Sequence, residues 1–104
     1  MSDYCLVMVS CPNKDEAAQI TAALLQQKLA ACIQHQTIDS HYVWQDKLEQ
    51  SSEILLLIKT TRQCYTELEA CISKLHSYDT PEIIQLPIEK GHAGYLQWVK
   101  DSCY

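Results

Sequence analysis

Two long stretches in succession, "CIQHQTIDSHYVW" and "SSEILLLIKTT", both read as β-strands, and only "QDKLEQ" separates them. Strands joined by so short a polar connector are antiparallel neighbours, although this one carries neither glycine nor a clear turn signal. The first runs from about Ala31 to Trp44, well beyond the ~5–6 residues of an ordinary strand. A chain of 104 residues forms one domain and buries roughly 65% of its unfolded surface. A sheet of that size is too small to flank the whole hairpin, so the far end of the hairpin is expected to need a cover from elsewhere.

The remaining segments supply the sheet that the hairpin joins. "YCLVMVSC" at 4–11 is a continuous apolar run, suited to a strand covered on both faces. Pro12 ends it, and Asn13 with Glu16 three residues on forms a capping box that opens a helix. Ala17, Ile20 and Leu24 make its apolar stripe, and the helix is expected to run to about Lys28. Thr61 stands where it can cap a second helix whose stripe is Cys64, Leu68, Cys71, Ile72 and Leu75. "EIIQLPI" at 82–88 reads as a fourth strand, which Pro87 places at an edge. "GHAGYLQWVKDS" closes the chain as a short helix, with Tyr95, Leu96, Trp98 and Val99 expected to pack inward. The order βαββαβ plus a C-terminal helix predicts an α+β fold, the ferredoxin-like plait with an antiparallel sheet.

Charge and cysteine usage narrow the function. The formal net charge of −5 repels phosphate backbones and anionic lipid surfaces, which argues against nucleic acid and membrane partners. The N-terminal "MSDYCLVMVSC" places an acid where an export signal carries basic residues, and no apolar run reaches the ~18 residues of a membrane span. A cytoplasmic chain is expected, and with it six reduced thiols at Cys5, Cys11, Cys32, Cys64, Cys71 and Cys103. No CxxC pair occurs to suggest a redox motif or a two-thiolate metal hook.

The plait hosts many functions, so motifs must choose among them. An RNA-recognition module needs stacking aromatics on its central strands, whereas this chain has no Phe and its third strand reads "EILLLIK". A heavy-metal-associated module carries two cysteines after the first strand, and "MVSCPNKD" has one. Acylphosphatases need an arginine in a glycine-rich loop there, and the only arginine is Arg62. Four stretches point elsewhere: "KLAAC" at 28–32, "YVWQDKLEQSSEILLLIKTT" at 42–61, "HSYDTPEIIQLPI" at 76–88 and "GYLQWV" at 94–99. Together, in order and over nearly the whole chain, they resemble the CutA family of divalent-ion tolerance proteins. The resemblance implies a ferredoxin-like subunit in a compact homotrimer, with the long hairpin paired onto a neighbouring subunit. It also implies a role in binding a divalent metal ion, copper or zinc, and in metal-ion tolerance.

Individual residues carry two readings each. His76 follows the second helix, where it is either a C-terminal cap favoured by the helix dipole or, as the resemblance implies, a metal ligand. The family pattern is incomplete around it, with Leu75 in place of a second histidine and Val9 in place of a strand-one cysteine; Cys11 is the candidate substitute. Asp79 and Glu82 either complete a hard-metal site with His76 or accept backbone hydrogen bonds. Glu53 and Lys59 read as solvated strand ends, or, in the trimer implied, as part of an intersubunit cleft walled by Tyr42, Trp44 and Tyr78. His35, His41 and His92 have no partner at ligand spacing, and no nucleophile with a His/Asp partnership marks a catalytic centre, so no enzyme is expected. Two other functions stay open, a small-molecule or partner-binding signalling module of the PII-like kind and a trimeric scaffold. With only Gly91 and Gly94 present, there is no glycine-rich nucleotide loop to favour the first.

Overall fold

Tyr4–Cys11 forms β1, whose alternate residues Cys5, Val7, Val9 and Cys11 are all fully buried. The computed structural model describes residues 2–104. Helix α1 spans Lys14–Gln26 and starts where the Asn13 side chain accepts the Glu16 N–H at 2.8 Å. It stops short of Lys28, which takes a positive φ of 56° while its N–H reaches the Leu25 carbonyl and the Leu29 N–H the Leu24 carbonyl. That pair of bonds is a Schellman closure with lysine in the position glycine usually fills. It tips Leu29 back into the core.

The hairpin consists of β2 (Cys32–Trp44) and β3 (Lys47–Thr61). The third strand therefore begins four residues earlier than the polar connector suggested. Only Gln45 and Asp46 turn, with φ of 51° and 64°, and two successive positive φ values are those of a type I′ turn, whose twist matches the strands. After β3 a short 3-10 turn, Arg62–Cys64, precedes α2 (Tyr65–Leu75). The Thr61 side chain makes no capping bond, contrary to the sequence expectation; the tight turn uses backbone bonding instead. Along α2, Leu68 and Ile72 are buried, Cys71 packs at the margin, and Leu75 is exposed. Strand β4 (Ile83–Pro87) and helix α3 (Ala93–Ser102) complete the described elements.

The sheet order is β2-β3-β1-β4 and every neighbour is antiparallel, the ferredoxin-like arrangement. Pro87 lies opposite Cys5 on the edge strand, where its missing N–H costs no ladder bond. Helices α1 and α2 cover one face, where Ile20, Leu24, Leu68 and Ile72 meet Val7, Val9, Leu56 and Ile58. On β3, β1 pairs with Ile54–Thr61, so among the described residues Lys47–Glu53 has β2 as its sole strand partner. At ~3.3 Å per residue the hairpin runs on for roughly 20 Å beyond the edge of β1. Leu48 near its tip is 89% exposed. On α3 only Val99 is buried; Tyr95 and Trp98, expected inside, are 40% and 47% exposed. Helix α3 touches mainly β3, and its aromatic side stays bare within a single chain.

Candidate functional site

Helix α2 ends at His76, whose N–H still donates to the Ile72 carbonyl at 2.8 Å before the backbone turns extended. Its ring is almost fully buried and engaged at both nitrogens. Nε2–H donates to the Ser10 carbonyl at 2.7 Å, and Nδ1 accepts the Tyr78 N–H at 3.1 Å. A carbonyl can only accept and a backbone N–H can only donate, so these contacts require the neutral tautomer protonated at Nε2. The ring of Tyr78 leans on the imidazole with 4.8 Å between centroids. Glu16 completes the arrangement, one carboxylate oxygen accepting the Ser77 N–H at 3.2 Å and lying 3.4 Å from His76 Nδ1. Its side chain thus leaves the helix cap and ties α1 to the turn after α2. His76 is the junction of α1, α2 and β1, and it sets the path of the residues that follow.

Those residues, with the end of β1 and the base of the overhanging hairpin, enclose a cavity of about 620 Å³. Tyr42 and Trp44 from β2 and Tyr78 from the turn form its aromatic walls, and Glu53, Asp79 and Glu82 bring carboxylates to it. None of the described lining residues is Lys or Arg. Glu53 is only 7% exposed and accepts the Tyr78 hydroxyl at 2.9 Å. Burial together with the Glu53 carboxylate pushes the Tyr78 phenol up to about 12, so it remains a donor at neutral pH. Ser10 reaches the same space from β1, its Oγ donating to Glu82 Oε1 at 3.5 Å.

The structure therefore gathers Tyr42, Trp44, Glu53, Tyr78, Asp79 and Glu82 at one end of the sheet. Lys59 stays apart, about 20 Å along β3 from Glu53 at ~3.3 Å per residue, with its Nζ donating to Gln34 Oε1. Cys11 sits in the core between the sheet and the helices, and burial pushes its thiol up to about 12, against the thiolate a metal requires. His76, Glu82 and Cys11 make no ligand set within one subunit, since no three His, Cys, Asp or Glu side chains converge among the described residues. Ser10, Ser40, His41 and Thr80 also line the cavity, and no spacing in the sequence marked them. His35 bonds Thr21 Oγ1 at 2.8 Å, and His92 caps α3 by accepting the Tyr95 N–H at 3.2 Å.

Comparison with known proteins gives a consistent answer. A family model described as "CutA1 divalent ion tolerance protein" matches residues 5–102. The chain is 40% identical over 93 residues to "Protein CutA" of Homo sapiens, covering 88% of this chain and 52% of the human one. It is 36% identical over 98 residues to the "Divalent-cation tolerance protein CutA" of Thermus thermophilus, covering 93% and 95% of the two chains. It spans about half the length of the human relative and 62% of the Xenopus laevis homologue. Among solved structures, CutA from Xylella fastidiosa superposes with a TM-score of 0.96 at 35% identity, over 99% of this chain and 100% of that one. Relatives are named from different compartments, one chloroplastic in Arabidopsis thaliana and one periplasmic in Archaeoglobus fulgidus. No described helix is long and apolar enough to cross a membrane. With nearly the whole sequence matched and the same fold throughout, the chain belongs to the CutA1 divalent ion tolerance protein family.

Proposed function

We propose that this protein binds divalent cations, copper or zinc among them, as a non-enzymatic homotrimer of the cytoplasm that contributes to metal-ion tolerance. The observation that carries the cation reading is the charge of the cavity: Glu53, Asp79 and Glu82 face it, with no Lys or Arg among the described lining residues. Such a site concentrates cations, and carboxylate with the His41 imidazole is a donor set that accepts zinc or copper(II). His76 serves by holding the 77–82 turn in place, since both its ring nitrogens are committed. Among the described residues one subunit does not converge three ligands, so water or a neighbouring subunit completes the coordination. Bare apolar surfaces support the trimer: the hairpin tip with Val43, Trp44 and Leu48, the outer sheet face with Ile84 and Leu86, and the exposed side of α3 with Tyr95 and Trp98. Exposed patches of this kind mark association surfaces. The test is calorimetric titration with Cu²⁺ and Zn²⁺ of the wild type, a Glu53→Gln/Glu82→Gln double variant and His76→Ala. The double variant should lose most of the affinity and His76→Ala should keep it. A double variant that titrates like the wild type would remove the cation site from this cavity.

A further inference from the structure

A bare metal ion with its ligands fills only a small part of a 620 Å³ cavity. That volume lies within the ~300–1,000 Å³ of small-molecule pockets. The walls are also of the wrong kind for a metal alone, because Tyr42, Trp44 and Tyr78 present aromatic rings to the same space as the three carboxylates. Tyr42 and Trp44 are two residues apart on β2 and so share one face of the strand, the face that carries Glu53 and its register partner Ile38. Their positions are fixed by pairing with Glu49 and Lys47 across the hairpin, and the Tyr42 hydroxyl lies 3.4 Å from Ser51 Oγ. Glu53 is the one deeply buried charge in the lining. Its Oε2 takes the Tyr78 hydroxyl, while Oε1 has no hydrogen bond to any described residue and is not sealed from the cavity. Aromatic faces attract weakly hydrated organic cations, and a carboxylate with a free oxygen fixes where the charge sits.

We propose that the cavity between the 77–82 turn and the base of the β2–β3 hairpin binds a small organic ammonium ion, its cationic head between the aromatic walls and Glu53. This assignment rests on the reading of the cavity as a cation site and names a second class of cation for it. Alkylated ammonium is the favoured chemistry, because it gives up water easily and spreads its charge over methyl groups that pack against rings. Asp79 and Glu82 at the rim draw the ion in, and a divalent metal that occupies the same carboxylates excludes it.

The experiment is calorimetric titration of the intact protein with choline, with its neutral isostere 3,3-dimethyl-1-butanol, and with Zn²⁺. Choline should bind and the isostere should not, and saturating Zn²⁺ should weaken choline. Trp44→Ala should weaken choline about tenfold, and Glu53→Gln should weaken both choline and Zn²⁺. Zn²⁺ binding without choline binding would overturn the inference and leave the divalent-cation reading standing. Binding of neither would overturn both. An isostere that binds as tightly as choline, or choline affinity unchanged by both variants, would show that this cavity does not select organic cations.

Discussion

Replacing His76 with alanine tests whether the histidine is structural, and the size of the effect follows from its contacts. The substitution removes the 2.7 Å bond to the Ser10 carbonyl and the 3.1 Å bond from the Tyr78 N–H, both at a position that is 8% exposed. The Ser10 carbonyl, left without a partner in a buried place, costs about 1–3 kcal/mol, and the part-buried Tyr78 N–H costs less. The void where the ring stood against Tyr78 adds to that. We expect a loss of about 3–4 kcal/mol, a large share of the ~5–15 kcal/mol that holds an ordinary domain. The assay is equilibrium urea unfolding at one fixed protein concentration, since an oligomer's stability depends on it. It is run with and without chelator. A cap predicts the full loss in chelator, because no metal takes part in these bonds. If His76→Ala matches the wild type within ~0.5 kcal/mol in chelator and falls behind only when metal is added, the histidine is a ligand and the structural reasoning is refuted.

Stability should also fall in alkali. Burial pushes the Cys5 and Cys11 thiols from 9.0 up to about 11 and about 12, and the Tyr65 and Tyr78 phenols from 10.0 up to about 12. All four hold their protons more tightly folded than unfolded, so the stability they contribute is complete below pH ~9 and drains away between pH ~9 and ~12. A urea midpoint that stays constant from pH 7 to 10.5 would contradict these shifts. Asp46→Gly should relieve the left-handed backbone at φ 64° and slow amide exchange in the overhanging part of the hairpin about fivefold, the equivalent of ~1 kcal/mol; faster exchange there would count against the turn assignment. Sedimentation at micromolar concentration should give a mass about three times the 11.9 kDa chain, and a folded monomer would end the trimer proposal.

Local physics made much of the fold legible from residues alone. Asn13 caps α1 because its side chain needs only a backbone N–H three residues away, and Pro87 marks an edge because it lacks a donor wherever it stands. The buried stripe Ala17, Ile20 and Leu24 follows from helical period, whereas β1, read as an apolar run covered on both faces, buries Cys5, Val7, Val9 and Cys11 and leaves Tyr4, Leu6 and Met8 half-buried on the other face. The resemblance to a known family rested on whole stretches of this kind. What failed were features decided by a partner elsewhere in the chain. Gln45 has no intrinsic preference for a type I′ turn and Asp46 only a modest one, and they adopt it because thirteen-residue β2 pairs in register right up to Trp44 and Lys47. Tyr95 and Trp98 look like core residues by composition, yet α3 meets the sheet through Val99 and leaves them bare.

The candidate site divides along the same line. The sequence alone determined that His76, Tyr78, Asp79 and Glu82 would cluster, because they share one short turn. It also determined that His76 would fall at a helix end, since the stripe of α2 runs out at Leu75. Only the tertiary structure decided what that turn faces. The Glu16 side chain supports the turn instead of the cap because α1 lies beside α2, a contact across 61 positions. Glu53 enters the cavity because β3 pairs with β1 on one side and projects past it on the other, bringing its carboxylate to a phenol 25 positions away. The same geometry carries Lys59 out of the site and seals Cys11 into the core. Side-chain chemistry is a property of each residue, but which chemistries meet depends on strand register and overhang, and these are set by packing the whole sheet at once.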